Sequence, residues 1–190
     1  MYGAPAADTA PLNPAFQYLR VAVGKNVALV ELGYIDASPQ PDTEVWYSAS
    51  KEAIRLWHGR LAGTAGLNTD WRTVKFSDVP SWKSALQGGA TYRRQRDVMP
   101  GYLVGVREQV LIRPIASPLK SEFVGTPPLG LQWFEELSAP EGLAPKLPAA
   151  RFAVDLSGPQ ERVIYSEQCL SAELCLTIQV WPAPMAAKPS

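Results

Sequence analysis

Histidine is almost absent from this 190-residue chain, which has His58 alone, and cysteine is limited to Cys169 and Cys175. A single imidazole leaves general acid–base catalysis without its commonest agent, and no triad can be named. Two cysteines with no histidine or further cysteine near them make a poor zinc site. Net charge is missing as well. The 18 lysines and arginines balance 18 aspartates and glutamates, so no long-range field favours nucleic acid or an anionic membrane surface. No run approaches the roughly 18 consecutive apolar residues that a spanning helix needs. No charged start followed by an apolar stretch marks a secretory signal, and Met1 is expected to be an added start residue ahead of a mature end. A phosphate-cradling loop is lacking too, because Gly59, Gly63 and Gly66 do not sit in a strand–loop–helix setting. Asp70, Glu135 and Glu136 have no metal-binding spacing and are expected on solvated strand faces or turns. These absences predict a protein that is not an enzyme and carries no cofactor or metal.

Proline, by contrast, is abundant, with 18 residues, and it interrupts long helices. Short strands rich in β-branched and aromatic residues fill the space between turns. Phe16 to Val23 and Val27 to Ile35 flank Gly24-Lys25-Asn26 as a hairpin, and Glu44 to Ser48 and Ala53 to Trp57 flank Ala49 to Glu52 as a second. Residues 52–61 also fit an amphipathic helix through Ile54, Trp57 and Leu61, and periodicity leaves both readings open. A short helix is expected after Asp78 as cap, with Pro80 in its first turn and Gly88-Gly89 at its end. Val104, Val106, Val110 and Ile112 share one parity of a long half-buried strand, with Glu108 interrupting the apolar series. Leu174, Leu176, Ile178 and Val180 alternate with Cys175, Thr177, Gln179 and Trp181, so one face should meet the core and the other water or a ligand.

The expected fold is therefore mainly β: a large antiparallel meander folded on itself into a half-barrel or barrel, with one or two short helices. One β domain spans residues 16–181, between a flexible N-terminal tether (1–15) and a flexible C-terminal tail (182–190). Cys169 and Cys175 bracket five residues at two strand ends, which suits either a cross-strand disulfide or two buried thiols. Six tryptophans fill β cores more often than they stack on sugars, but Trp46, Trp57 and Trp71 around the first hairpins are the candidates for a glycan-stacking platform.

One stretch carries a more specific signal. The run from His58 to Leu67, preceded by Val45-Trp-Tyr-Ser-Ala-Ser-Lys51, resembles the signature hairpin of the group 4 capsule polysaccharide lipoprotein family, GfcB/YjbF. That hairpin has a Trp-x-Ser-Ala-Asp strand followed by Gly-Arg-Leu-x-x-Thr-x-Gly-Leu, matched here by Gly59, Arg60, Leu61, Thr64, Gly66 and Leu67. Further matches follow in order at Tyr18 to Gly24, Ala28 to Leu32, Asp78 to Pro80, Pro100 to Tyr102, Phe152 to Asp155 before Gly158, and Ser166 to Gln168. The likeness runs from about Phe16 to Trp181.

The resemblance implies a periplasmic protein tied to the outer membrane by an N-terminal lipid anchor that this chain does not carry. It also implies a non-enzymatic role in capsule or exopolysaccharide secretion, with export-machinery proteins and polysaccharide as partners and no nucleic acid. The lipid-attachment cysteine is absent, and the Cys169 and Cys175 pair departs from the family pattern. Physically, Gly59 and Gly66 suit tight backbone turns, and Arg60 is expected to hydrogen-bond carbonyls at a sheet corner, a structural role favoured over ligand contact when no paired acid is evident. The alternative is a half-barrel carrier of lipid or lipoprotein, motivated by a strongly alternating sheet with an apolar inner face.

Overall fold

Alternating apolar and polar residues build one antiparallel sheet of twelve strands in the computed structural model, which describes residues 7–183. The strands are β1 (Tyr18–Val23), β2 (Asn26–Asp36), β3 (Thr43–Ser48), β4 (Ala53–Trp57), β5 (Arg60–Ala65), β6 (Asp70–Ser77), β7 (Ala90–Met99), β8 (Leu103–Ile115), β9 (Gln132–Pro140), β10 (Ala150–Asp155), β11 (Arg162–Cys169) and β12 (Cys175–Trp181). Residues 53–57 and 60–65 are thus strands, because their apolar side chains meet the core in the sheet's period rather than a helix's. The helix after β6, α1 (Trp82–Ala85), has four residues and starts later than expected. Ser81, not Asp78, is its cap: the Ser81 hydroxyl accepts from the Ser84 N–H, while Asp78 points to Arg93 across an exposed pair.

The sheet is a meander that closes on itself. β1 pairs with β12, joining the two ends of the domain, and β5 and β6 stand at the two limits of the strand order although they are consecutive in the chain. The sheet curls until these two strands approach, leaving a nearly closed barrel with a seam between them. Near the β5–β6 turn the approach is tight. The Trp71 N–H donates to the Thr64 hydroxyl at 3.1 Å, and a Cβ on Gly63 would lie 3.3 Å from the Trp71 carbonyl oxygen. Farther along, Trp57 of β4 stacks on Phe76 of β6, with ring centres 4.9 Å apart.

Inward-pointing residues fill the barrel. Leu19, Val21, Val30, Trp46, Ile54, Leu56, Leu176 and Ile178 belong to the main core cluster. Each fully buried aliphatic or aromatic side chain of this kind contributes roughly 1.5–3 kcal/mol. Both ends are plugged. On the α1 side, Trp82 packs against Phe134 and Phe152 at 5.0 Å each. At the other end, Leu147 and Leu170 are buried, and the Trp71 indole donates to the Leu170 carbonyl at 3.0 Å.

The outer face is not all wet. The β8–β9 connection, residues 116–131, runs as a strap over β11 and β12. Gln179 grips it with a side-chain amide that accepts from the Val124 N–H and donates to the Val124 carbonyl, both at 2.9 Å. The Glu122 N–H donates to the Tyr165 hydroxyl, and Phe123 packs on the Tyr165 ring. Thr177 and Gln179 are therefore buried on the face of β12 that alternation alone assigned to water or a ligand. Cys169 and Cys175 stand opposite each other in the β11–β12 register and are disulfide-bonded. The expected tether and tail lie partly outside the described residues, but within the former Asp8 pairs with Arg20 at 2.6 Å.

Candidate functional site

The glycine–arginine stretch that stands out in the sequence forms the seam strand β5 and the turns on either side of it. Gly59 has a φ of +80°, and a Cβ there would come within 2.3 Å of a Val163 methyl, so both conformation and space require glycine. The turn on the far side is held by Asp70, which accepts from the Gly66 N–H, the Leu67 N–H and the Thr64 hydroxyl. These bonds satisfy the Asp70 carboxylate in a buried position, contrary to its expected place on a solvated turn.

The seam has a second fastening. Gln168 of β11 reaches across the barrel, accepts from the Leu61 N–H and donates to the Gly59 carbonyl, both at 2.9 Å. A side-chain amide thus supplies the donor and acceptor that a neighbouring strand would offer to an edge strand, satisfying buried backbone groups that would otherwise cost free energy.

Arg60 points into the barrel and is 2 % exposed. Its Nε donates to Glu136 at 2.7 Å, and the guanidinium lies 3.9 Å above the centre of the Trp82 ring, with Tyr92 and Phe152 farther off. Nη2 makes no hydrogen bond; the ring face of Trp82 supplies electrostatic attraction in its place. Arg60 therefore pairs with a carboxylate rather than with carbonyls at a corner, and Glu136, expected on a solvated face, is buried. Burial pushes the Tyr92 phenol far above its ordinary value, with the Glu136 charge adding to the effect. Tyr92 accordingly keeps its proton and donates it to the second Glu136 oxygen at 2.8 Å.

A second buried cluster sits beside the first. Glu108 accepts from Arg94 and Arg96, and both guanidinium groups lie 4.8 Å from the Trp71 ring centre. Burial alone would raise the Glu108 carboxyl, but the two arginines outweigh it and hold the pKa below the ordinary glutamate range. Glu108 thus interrupts the apolar series of β8 without leaving the inward face. The parity of β8 announces this position; the partners, 12 and 14 residues away on β7, have no signal in spacing. Glu135, by contrast, points outward to Arg113.

Of the three tryptophans considered for sugar stacking, Trp46 and Trp71 are buried in the core and offer no free ring face. Trp57 is half-buried between Phe76 and His58, and its indole N–H donates to the Pro41 carbonyl. His58 lies in the β4–β5 turn with its ring edge-on to Trp57; partial desolvation there and the nearby Arg60 charge lower its pKa. Tyrosines take the exposed aromatic role instead: Tyr34 and Tyr47 lie side by side with ring centres 6.4 Å apart. Among the described residues no group of three or more His, Cys, Asp or Glu is arranged to hold a metal ion.

The cavity bordered by Trp71, Arg94, Glu136, Ser138 and Gln168 holds about 20 Å³, room for about one water molecule. An acyl chain does not fit in that cavity. A larger cleft of about 310 Å³ lies outside, between Glu122 of the strap and Glu167 and Thr177 of the sheet.

The fold and these contacts define a class: a nearly closed antiparallel barrel with a packed, charge-bearing interior. A family profile described as group 4 capsule polysaccharide lipoprotein GfcB, YjbF matches residues 6–180, and the chain belongs to that family. The chain is also similar to a solved structure of the hypothetical lipoprotein YmcC from Escherichia coli K12, at 18 % identity and a TM-score of 0.67, covering 91 % of this chain and 87 % of that one. That likeness concerns the fold. No curated protein matches the chain.

Proposed function

We propose that the protein is a non-enzymatic accessory of capsule or exopolysaccharide secretion, working in the periplasm at the outer membrane by contact through its outer surface. The observation that carries this reading is the filled barrel. With both ends plugged and the inward charges paired to one another, the molecule offers partners its outside and not an internal chamber. Membership of a capsule polysaccharide lipoprotein family supports the pathway, and the Cys169–Cys175 disulfide suits an oxidising compartment. The partners on this reading are export-machinery proteins and the polysaccharide itself.

A clean deletion, complemented with the full-length gene, tests it. Surface polysaccharide should fall in amount while its sugar composition stays the same, because the protein assists transport and leaves the polymer's bonds alone. Normal secretion in the deletion strain would overturn the reading. An altered sugar composition would point instead to a modifying enzyme.

A further inference from the structure

The outer face of β2, β3 and β4 carries a feature that the barrel does not need. Trp46 and Ile54 point inward, so their strand neighbours Tyr47 and Arg55 point outward. Between Leu32 and Tyr34 the pairing of β2 with β3 shifts register at Gly33. A Cβ at Gly33 would sit 2.7 Å and 2.8 Å from two carbons along one side of the Tyr47 ring, so the ring packs against the glycine where a side chain would not fit. Tyr47 remains 42 % exposed and its neighbour Tyr34 49 %. Each of these large aromatic residues thus keeps nearly half of its surface in water, more than a core side chain does.

Polar groups flank the rings. Arg55 bonds the Asp36 carboxylate at 2.6 Å and the Ser38 carbonyl at 2.8 Å, both from Nη2. The Arg55 hydrogen bond, then that from the Ser38 N–H, holds the Asp36 carboxyl below its usual range. Glu31 faces Tyr47 in the register. A hydrogen bond to Tyr34 pushes the Tyr47 hydroxyl above its ordinary value, so it keeps its proton. The patch thus combines exposed aromatic rings with planar hydrogen-bonding groups, in which Arg55 and Asp36 cancel and Glu31 adds a negative charge. A pyranose ring has the matching chemistry: axial C–H groups on one face to stack on an aromatic ring and hydroxyls at its edge to bond carboxylate, guanidinium and phenol.

We infer that Tyr47, packed against Gly33, and its neighbour Tyr34, with Asp36 and Arg55 close by, form a docking platform for a neutral stretch of the polysaccharide chain. This rests on the secretion reading and names the surface through which it would act. Because Arg55 is already neutralised by Asp36, recognition comes from stacking and hydroxyl contacts, and binding should change little with salt.

The test uses the surface polysaccharide extracted from the strain that encodes the chain, cut to short oligosaccharides and titrated into the protein by calorimetry and by NMR of the tyrosine rings. Saturable binding is expected, with ring shifts at Tyr34 and Tyr47, and Tyr34→Ala/Tyr47→Ala should weaken it about tenfold or more. Gly33→Ala is the sharper variant. It keeps both tyrosines and a permitted backbone but lifts the Tyr47 ring off the sheet, and it should lose a similar factor with an unchanged urea midpoint. Absence of saturable binding, binding untouched by either variant, or self-association of the chain through these tyrosines would overturn the platform. In cells the two ideas separate cleanly. A deletion phenotype fully rescued by the tyrosine variant removes the platform and leaves the accessory role standing, whereas a deletion without phenotype removes the role.

Discussion

The two halves of the barrel interior obey the same alternation and fill it differently. Strands β1 to β4 and β12 send in aliphatic residues and Trp46, such as Val21, Val30, Ile54 and Ile178. On the other half, β5 and β7 to β9 send in Arg60, Tyr92, Arg94, Arg96, Glu108 and Glu136 at equivalent positions. An apolar interior tolerates any arrangement of similar volume, whereas a buried ion pair tolerates only the register that brings its partners together. The charged half is the half that meets the seam, where β5 has no strand ladder with β6 to set its position. Arg60 with Glu136, together with the Gln168 amide, specifies there what backbone pairing specifies elsewhere.

The strongest way to break the contrast is Glu136→Ala. It leaves Arg60 buried without its carboxylate and Tyr92 without its acceptor, and should cost about 3–5 kcal/mol in urea unfolding. Arg60→Met with Glu136→Gln removes both charges while keeping an acceptor for Tyr92, and should lose less than the single change. Equal losses would mean that packing, not pairing, dominates the charged half. In the apolar half, Leu176→Ala should cost about 2–4 kcal/mol through the cavity it leaves, with no new dependence on pH.

Acid sharpens the same comparison. The folded pKa of Glu108 is held below its ordinary 4.5, so its contribution is present above that value and is lost as pH falls through the lower folded value. Unfolding free energy should therefore decline below about pH 4.5 in the wild type, and Glu108→Gln should be weaker at neutral pH and flatter in acid. An acid limb unchanged in the variant would transfer the effect to other carboxylates.

Two smaller changes mark the boundaries of the comparison. Cys175→Ser opens a short loop at a plugged end and should cost about 2 kcal/mol, readable as a lower unfolding midpoint that matches the wild type under reductant. Arg93→Ala breaks an ion pair with Asp78 whose side chains are both largely exposed, and should change stability by no more than about 0.5 kcal/mol. A large loss there would show that exposed charges contribute on the scale of the buried ones.

Much of the architecture is legible in the order of residues alone. The first two hairpins, the long strand through Val110 and the closing strand through Ile178 follow from period-two alternation and turn residues, which are local properties. The helix boundary is not legible in this way because Ser81 and Asp78 are both acceptable caps, and the choice belongs to Glu161, whose carboxylate accepts from the Trp82 and Lys83 N–H groups 79 and 78 residues away. The tryptophans are ambiguous for a related reason. A strand's parity says that two faces exist, and only the closure of the barrel says that Trp46 and Trp71 are on the inside while Tyr47 is on the outside.

By itself, then, the sequence determined the class of fold, the positions of most strands, the candidate disulfide and the family-like stretch from Gly59 to Leu67, because these depend on spacing within a few residues. Tertiary structure decided that the arginine of that stretch meets Glu136 across 76 positions of chain, that Asp70 and Glu108 are interior, and that the strap covers Thr177 and Gln179. Those outcomes depend on which distant segments the curled sheet brings together. A carboxylate or a guanidinium can be buried only where a partner arrives to offset its lost hydration, and nothing local announces that partner.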